Sequence, residues 1–138
     1  MTAEEELQAA KDQKKDWVNQ YRLIWMNDYF TFDGKTWDCD DRGVNNIQAR
    51  ILMGILNVIM GVPIANALPA GTLFRDCDNV NHEVTFLYMV QMAVTLSTFK
   101  STAYQVSWDM KSAIDAMTTI EEVNALEYDS PTYWPNRD

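Results

Sequence analysis

Apolar and polar positions recur along this chain in two periods, and each change of period marks an element. From Thr2 to about Asn27, Leu7, Ala10, Lys14, Trp17, Tyr21 and Ile24 lie three and four apart, with Val18 and Trp25 widening the stripe. That spacing predicts an amphipathic helix with a nearly heptad seam. Thr2 and Glu5 have capping-box spacing, and Glu4, Glu5 and Glu6 suit a helix N-terminus. The first half of the helix is polar and is expected to project, while Trp17 to Met26 is expected to pack. The period then falls to two. Tyr29-Phe30-Thr31-Phe32 and Lys35-Thr36-Trp37-Asp38 flank Asp33-Gly34, a pair that supports the positive φ angles of a tight hairpin turn. Alternation puts Phe30 and Phe32 on one face, with Trp37 near them.

The helical period returns after Asp40 or Asp41, either of which suits an N-cap. Val44, Ile47, Ile51, Ile55, Val58 and Ile59 predict a buried face. Leu52, Met53, Leu56 and Met60 make much of the remaining surface apolar, so this helix is expected to be central or covered by a partner. Gly61 and Pro63 stop it, and residues 62–71 form a loop. Residues 72–76 and 80–84 flank Cys77-Asp78-Asn79 and predict a second hairpin. Thr85 caps a long helix, from about Phe86 to Met117. Its expected stripe is Val90, Ala93, Val94, Ser97, Ser101, Tyr104, Trp108, Ile114 and Met117, with Ser97-Thr98 and Ser101-Thr102 softening the middle. Thr119 and Glu122 form a capping box for a short last helix to about Leu126. The segment Ser130 to Pro135 is predicted extended, because its prolines disfavour helix.

The elements predict an α+β fold, mainly α: a small helical bundle with two short β-hairpins, separate or joined in one antiparallel sheet. The stripes of residues 44–60 and 86–117 are expected to face each other, with residues 17–26 closing the core. The expected division is an N-terminal docking helix, 1–27; a compact hairpin-helix-hairpin-helix domain, 28–127; and a Pro/aromatic tail, 128–138.

Composition narrows the function classes. With 138 residues, 47% of them apolar, and five Trp, six Tyr and five Phe, the chain has the makings of one folded domain and not of a disordered segment. A formal charge of −9 repels a phosphate backbone, so no nucleic acid is expected. Lys11, Lys14 and Lys15, interspersed with Asp12 and Asp16, read as a solvated helix face. Asn57, Asn66 and Gln91 interrupt the apolar runs before the roughly 20 residues a membrane span needs, so no membrane is expected. The acidic Met1 to Glu6 is unlike a secretory signal, and Cys39 and Cys77 are expected as free thiols in a reducing compartment.

Candidate chemistry is sparse. Counted as a calcium loop from Asp38, Gly43 falls at the sixth position, but Arg42 stands at the fifth and Ala49 at the twelfth, where a bidentate glutamate belongs. Asp38, Asp40 and Asp41 therefore read as helix caps. Zinc would need about four ligands, and Cys39, Cys77 and His82 lack the paired spacings of a zinc motif. His82 is the only histidine and sits in a predicted strand, without a nucleophile at a recognisable spacing. The glycines are scattered singly and form no phosphate loop. Neither enzyme activity nor a cofactor or metal is expected. One short echo, Asp38-Cys39-Asp40 against Asp76-Cys77-Asp78, is left over. The aromatic excess supplies partner-binding candidates: Trp17, Tyr21 and Trp25 on the first helix, and Tyr133 and Trp134 in the tail, residue types favoured at interfaces. If the tail serves only a partner, deleting residues 128–138 leaves stability nearly unchanged.

The order of elements adds a resemblance. Phe32-Asp33-Gly34-Lys35-Thr36-Trp37-Asp38-Cys39-Asp40, then Asn46-Ile47-Gln48, then Phe74-Arg75-Asp76-Cys77-Asp78-Asn79-Val80, Val84-Thr85 and the run Lys111 to Leu126 resemble a family of small bacteriophage domains of unknown function encoded near tail-fibre genes. Phe74 stands where many members carry Trp. The matching positions are turns, caps and core positions, and the family has no catalytic residues to carry over. The resemblance implies a phage tail or tail-fibre protein acting by protein–protein binding, or a non-virion assembly chaperone for the fibre. Its partners would be tail or tail-fibre proteins, its place the virion tail or the host cytoplasm during assembly. A homo-oligomer is compatible with the pattern.

Overall fold

The computed structural model describes residues 1–134, and its chain order is helix α1 (Ala3–Met26), strands β1 (Tyr29–Phe32) and β2 (Lys35–Asp38), helix α2 (Asp41–Ile59), a 3-10 turn (Ile64–Asn66), strands β3 (Leu73–Arg75) and β4 (Asn81–Glu83), helix α3 (Phe86–Ala116) and helix α4 (Ile120–Ala125). The fold is α+β and mainly α, as the sequence predicts. The contacts group into two compact units. One joins residues 1–26 with 100–134; the other spans residues 27–99. This differs from the division expected at 27/28 and 127/128: the N-terminal helix and the tail belong to one unit, together with the second half of α3. The last residues of the expected tail, 135–138, lie outside the described residues.

In the first unit, α1 opens with the expected capping box. The Thr2 hydroxyl accepts from the Glu5 amide at 3.1 Å, and the Glu5 carboxylate accepts from the Thr2 amide at 3.1 Å. Thr119 caps α4, with the Glu122 amide donating to Thr119 Oγ1 at 3.1 Å, and the Glu122 carboxylate accepts from the Thr118 and Thr119 hydroxyls at 3.1 and 3.2 Å. The core contains Val18, Met26, Ala103, Met110, Ile114 and Trp134, with Tyr21, Trp25, Val106, Leu126 and Tyr128 against it. Up to Trp134 the tail is not extended. The Ser130 amide donates to Glu127 O and the Tyr133 amide to Ser130 O, both at 3.1 Å, so the chain turns twice and carries Trp134 inward. Proline forbids helix here but permits turns, and turn chemistry won.

In the second unit, β1 and β2 pair antiparallel with Phe30 opposite Trp37. Asp33 and Gly34 have φ of 55° and 69°, the geometry of a two-residue hairpin turn. Phe30 and Trp37 are fully buried, and the Trp37 indole donates to Phe32 O at 3.0 Å, which satisfies its one polar atom. β3 and β4 form a second, separate two-stranded sheet with Phe74 opposite His82. The sheets do not merge, but the Cys77 amide donates to Thr36 O at 2.9 Å and ties the second hairpin to the first. Asp40 caps α2 by accepting from the Gly43 amide at 2.7 Å. A side chain at Gly43 would run into the Asp38 carbonyl, so the glycine is what allows the helix to start against β2. Thr85 caps α3 through the Tyr88 amide at 3.1 Å.

The helix faces depart from expectation. α3 buries Met89, Met92, Leu96, Phe99, Ala103, Met110 and Ile114, whereas Val94, Tyr104 and Trp108 from the expected stripe are exposed. α3 is apolar on nearly every face, so two stripes compete and periodicity cannot choose between them. Its serine–threonine segment does not interrupt the helix. Along α2 only Gly43, Ile47 and Gly54 are buried, and Ile55 and Ile59 of the predicted face point to solvent. The predicted facing of stripes 44–60 and 86–117 reduces to a closer contact: the Phe86 ring lies so near Gly54 that a methyl group there would overlap it.

Candidate functional site

The five candidate aromatics belong to one unit, where four of them join one ring cluster. Tyr21 meets Trp134 edge to face at 5.3 Å between centroids, Trp25 meets Trp134 at 6.3 Å, and Tyr21 meets Trp25 at 6.2 Å. Tyr128, which the sequence did not single out, completes the cluster against Trp17 at 5.9 Å and Tyr21 at 6.1 Å. Trp134 is 4% exposed, and its indole donates to Tyr128 O at 2.7 Å. Trp134 therefore serves the core, Tyr21 and Trp25 are half-buried against it, and only Trp17 and Tyr133 present a large fraction of their rings to solvent. Exposed Leu23 and Ile24 lie on α1, and exposed Tyr104 and Trp108 on α3.

The lysines of α1 are not the solvated face that the sequence predicts. Lys14 is 6% exposed: its ammonium donates to Leu126 O at 3.1 Å and sits 5.4 and 5.5 Å from the rings of Trp17 and Tyr128. Lys11 donates to Asp115 O at 2.9 Å, and Lys15 pairs with the Asp115 carboxylate at 2.8 Å. That hydrogen bond holds the Asp115 carboxyl below its ordinary range and raises Lys15. The polar half of α1 therefore does not project: α4's first turn joins Ala3, Glu4 and Leu7 around a shallow cavity of about 350 Å³. A signal was present, since Lys14 falls within the helix's own apolar stripe.

The second unit answers the question of the Asp-Cys-Asp echo. The two copies meet: Cys77 Sγ donates to Asp38 Oδ1 at 3.1 Å. Asp76 is buried at the base of the second turn, where its Oδ1 accepts from the Asp78 and Val80 amides at 2.8 and 3.0 Å and its Oδ2 lies 2.7 Å from His82 Nε2. The His82 bond is the main cause of an Asp76 carboxyl held below the usual range. Trp37 packs edge-on against the His82 ring at 5.5 Å. A polar cavity of about 330 Å³ is lined in part by Asp38, Arg42, Arg75, Asp76 and Cys77. Its thiol is a poor nucleophile: burial, and then the carboxylate of Asp38, push Cys77 up to about 12, far from the thiolate form at neutral pH. Among the described residues neither Cys39 nor Cys77 is in a disulfide, and no group of three His, Cys, Asp or Glu side chains is placed to hold a metal. His82 is thus a turn-bracing residue, tied to Asp76 across the hairpin.

The largest apolar feature of this unit is α2. Leu52, Met53, Ile55, Leu56, Ile59 and Met60 are all exposed, Ile59 by 75% and Met60 by 81%, and Ile64 of the following turn is exposed beside them in sequence. They recur at helical spacing on the side opposite Gly43, Ile47 and Gly54. From Ile51 through Phe74 the chain has no charged residue. The loop that follows is firmly placed, with Asn57 donating to Ala67 O at 2.7 Å and Ala67 and Leu68 buried.

These features define a mainly α, α+β domain whose prominent surface groups are apolar and aromatic. Residues 9–129 match the family described as Domain of unknown function (DUF4376), and the chain belongs to that family. No curated protein and no solved structure matches it. Among the described residues no helix is long and apolar enough to cross a membrane.

Proposed function

We propose that the protein is a bacteriophage virion component of the tail or tail fibre and that it works by binding other proteins. The observation that carries the binding role is the outward placement of large apolar side chains on well-formed helices: Leu23, Ile24 and Trp108 in one unit and the face of α2 in the other. Contiguous exposed apolar surface of this kind marks interaction sites in soluble domains. The phage tail setting rests on the resemblance of the hairpins, caps and closing helix described above. Trp17 and Tyr133 remain the candidate contacts among the five aromatics, since both keep an exposed face, although Trp17 also packs on Tyr128, whereas Trp134 is buried and Tyr21 and Trp25 are half-buried.

Mass spectrometry of purified particles tests the proposal, with this chain quantified against the major tail protein. A fixed ratio in small multiples of three or six supports a structural tail or fibre component. Absence from particles together with abundance in infected-cell lysate replaces it with an assembly chaperone.

A further inference from the structure

We infer that the apolar face of α2 is covered by a second copy of this chain, which makes the protein a two-fold symmetric dimer. The inference rests on the reading that the protein acts by protein contacts, and it names the partner of one face.

Leu52, Met53, Ile55, Leu56, Ile59, Met60 and Ile64 are 43–81% exposed, on the order of 700 Å² in all, close to the roughly 800 Å² that each side of a standard protein interface buries. Scattered single apolar residues are ordinary on a monomer, whereas seven exposed within thirteen positions mark an interaction surface. A two-fold interface uses the same patch twice, so this one face supplies both sides of the contact.

Charge points the same way. Two chains of −9 repel each other, and close approach is least costly where neither presents charge. The stretch from Ile51 to Phe74 is the longest such region of the sequence, and the exposed stripe lies inside it. A face without charge cannot choose a partner by charge complementarity, but it suits its own copy. Leu52, Ile55, Leu56 and Ile59 are spaced three and four apart, the pattern with which one helix packs along another. The face is also ordered before any partner arrives, since Asp40 caps α2 at one end and Asn57 fixes the loop at the other. Little conformational freedom is then lost on association.

The test is the oligomeric state of the full chain, by light scattering coupled to size exclusion and by sedimentation equilibrium over a concentration series. The wild type is expected at twice the chain mass of 15.9 kDa. Ile59→Lys is expected to weaken the dimer by about 100-fold or more, because a charge is placed at the centre of the seam in both copies. Leu52→Lys provides an independent second variant with the same expectation, and circular dichroism verifies that each remains helical. A control, Gln20→Lys at an exposed polar position of α1, is expected to leave the dimer intact. A monomeric wild type at about 100 µM, or a dimer that survives both α2 variants, overturns the inference. A monomer in solution that is still found in particles at fixed ratio would sink the dimer and leave the proposed function standing.

Discussion

Helix α2 and the C-terminal tail treat their large apolar side chains in opposite ways. The tail has little regular structure, and its Trp134 is almost wholly enclosed by Tyr21, Trp25 and Tyr128. α2 is a regular, well-capped helix, yet most of its large side chains face water. Regularity and burial are separate properties. A helix satisfies its own backbone and can stand with one face uncovered, whereas a short tail with a few turn hydrogen bonds relies mainly on the contacts of its side chains. Trp134 has both kinds, an indole hydrogen bond and ring packing. Ile59 is 75% exposed, and its partner, on the inference above, is another copy.

Trp134→Ala is expected to cost about 3–5 kcal/mol in urea unfolding, the usual penalty for emptying a buried aromatic site. Deleting residues 128–138 should cost at least as much, in contrast to the near-neutral outcome that an unpacked tail would give. A deletion that leaves the unfolding midpoint in place would mean that the ring cluster contributes nothing. Next comes Lys14. Lys14→Ala strands the Leu126 carbonyl and removes a cation from the Trp17 and Tyr128 rings, with an expected loss of about 1–3 kcal/mol; the same substitution on a solvated face would move stability by less than about 0.5 kcal/mol.

Gly54 locates where α2 is in fact packed. Alanine should favour the helix by about 1 kcal/mol, but its methyl group would meet the Phe86 ring. Overpacking outweighs propensity here, and a net loss of about 1–2 kcal/mol is expected in thermal or urea melts. Stabilisation by Gly54→Ala would show that Phe86 moves aside freely. At the small end, Ile59→Lys should change the stability of the monomer by no more than about 0.5 kcal/mol while it changes association strongly.

Acid provides a further contrast inside the second unit. Asp76 is held below the ordinary carboxylate range, chiefly by His82 and the turn amides. Its contribution is therefore present at pH values above the unfolded-state value of about 3.9 and is lost as pH falls through the lower folded-state value. The β3–β4 hairpin should loosen on acidification below about pH 4, read from amide exchange at Val80, and Asp76→Asn should remove that pH dependence. If exchange at Val80 is flat across the acid range in the wild type, the Asp76–His82 pair does not hold the turn.

Local chemistry was legible without the structure. Thr2 with Glu5, Asp40, Thr85 and Thr119 with Glu122 mark the helix starts because a cap needs a side-chain oxygen within a few residues of free amides. Asp33-Gly34 fixes the first hairpin because few residues tolerate two consecutive positive φ angles. These are short-range requirements, so sequence alone determines them. Tertiary structure decided which faces are buried. α2 and α3 are apolar around too much of their circumference for period to point inward. Lys14 was assigned to solvent because its acceptor, Leu126 O, lies 112 positions away. The ring cluster, the joined Asp-Cys-Asp segments and the exposed stripe of α2 all depend on contacts between distant positions, and no local pattern carries that information.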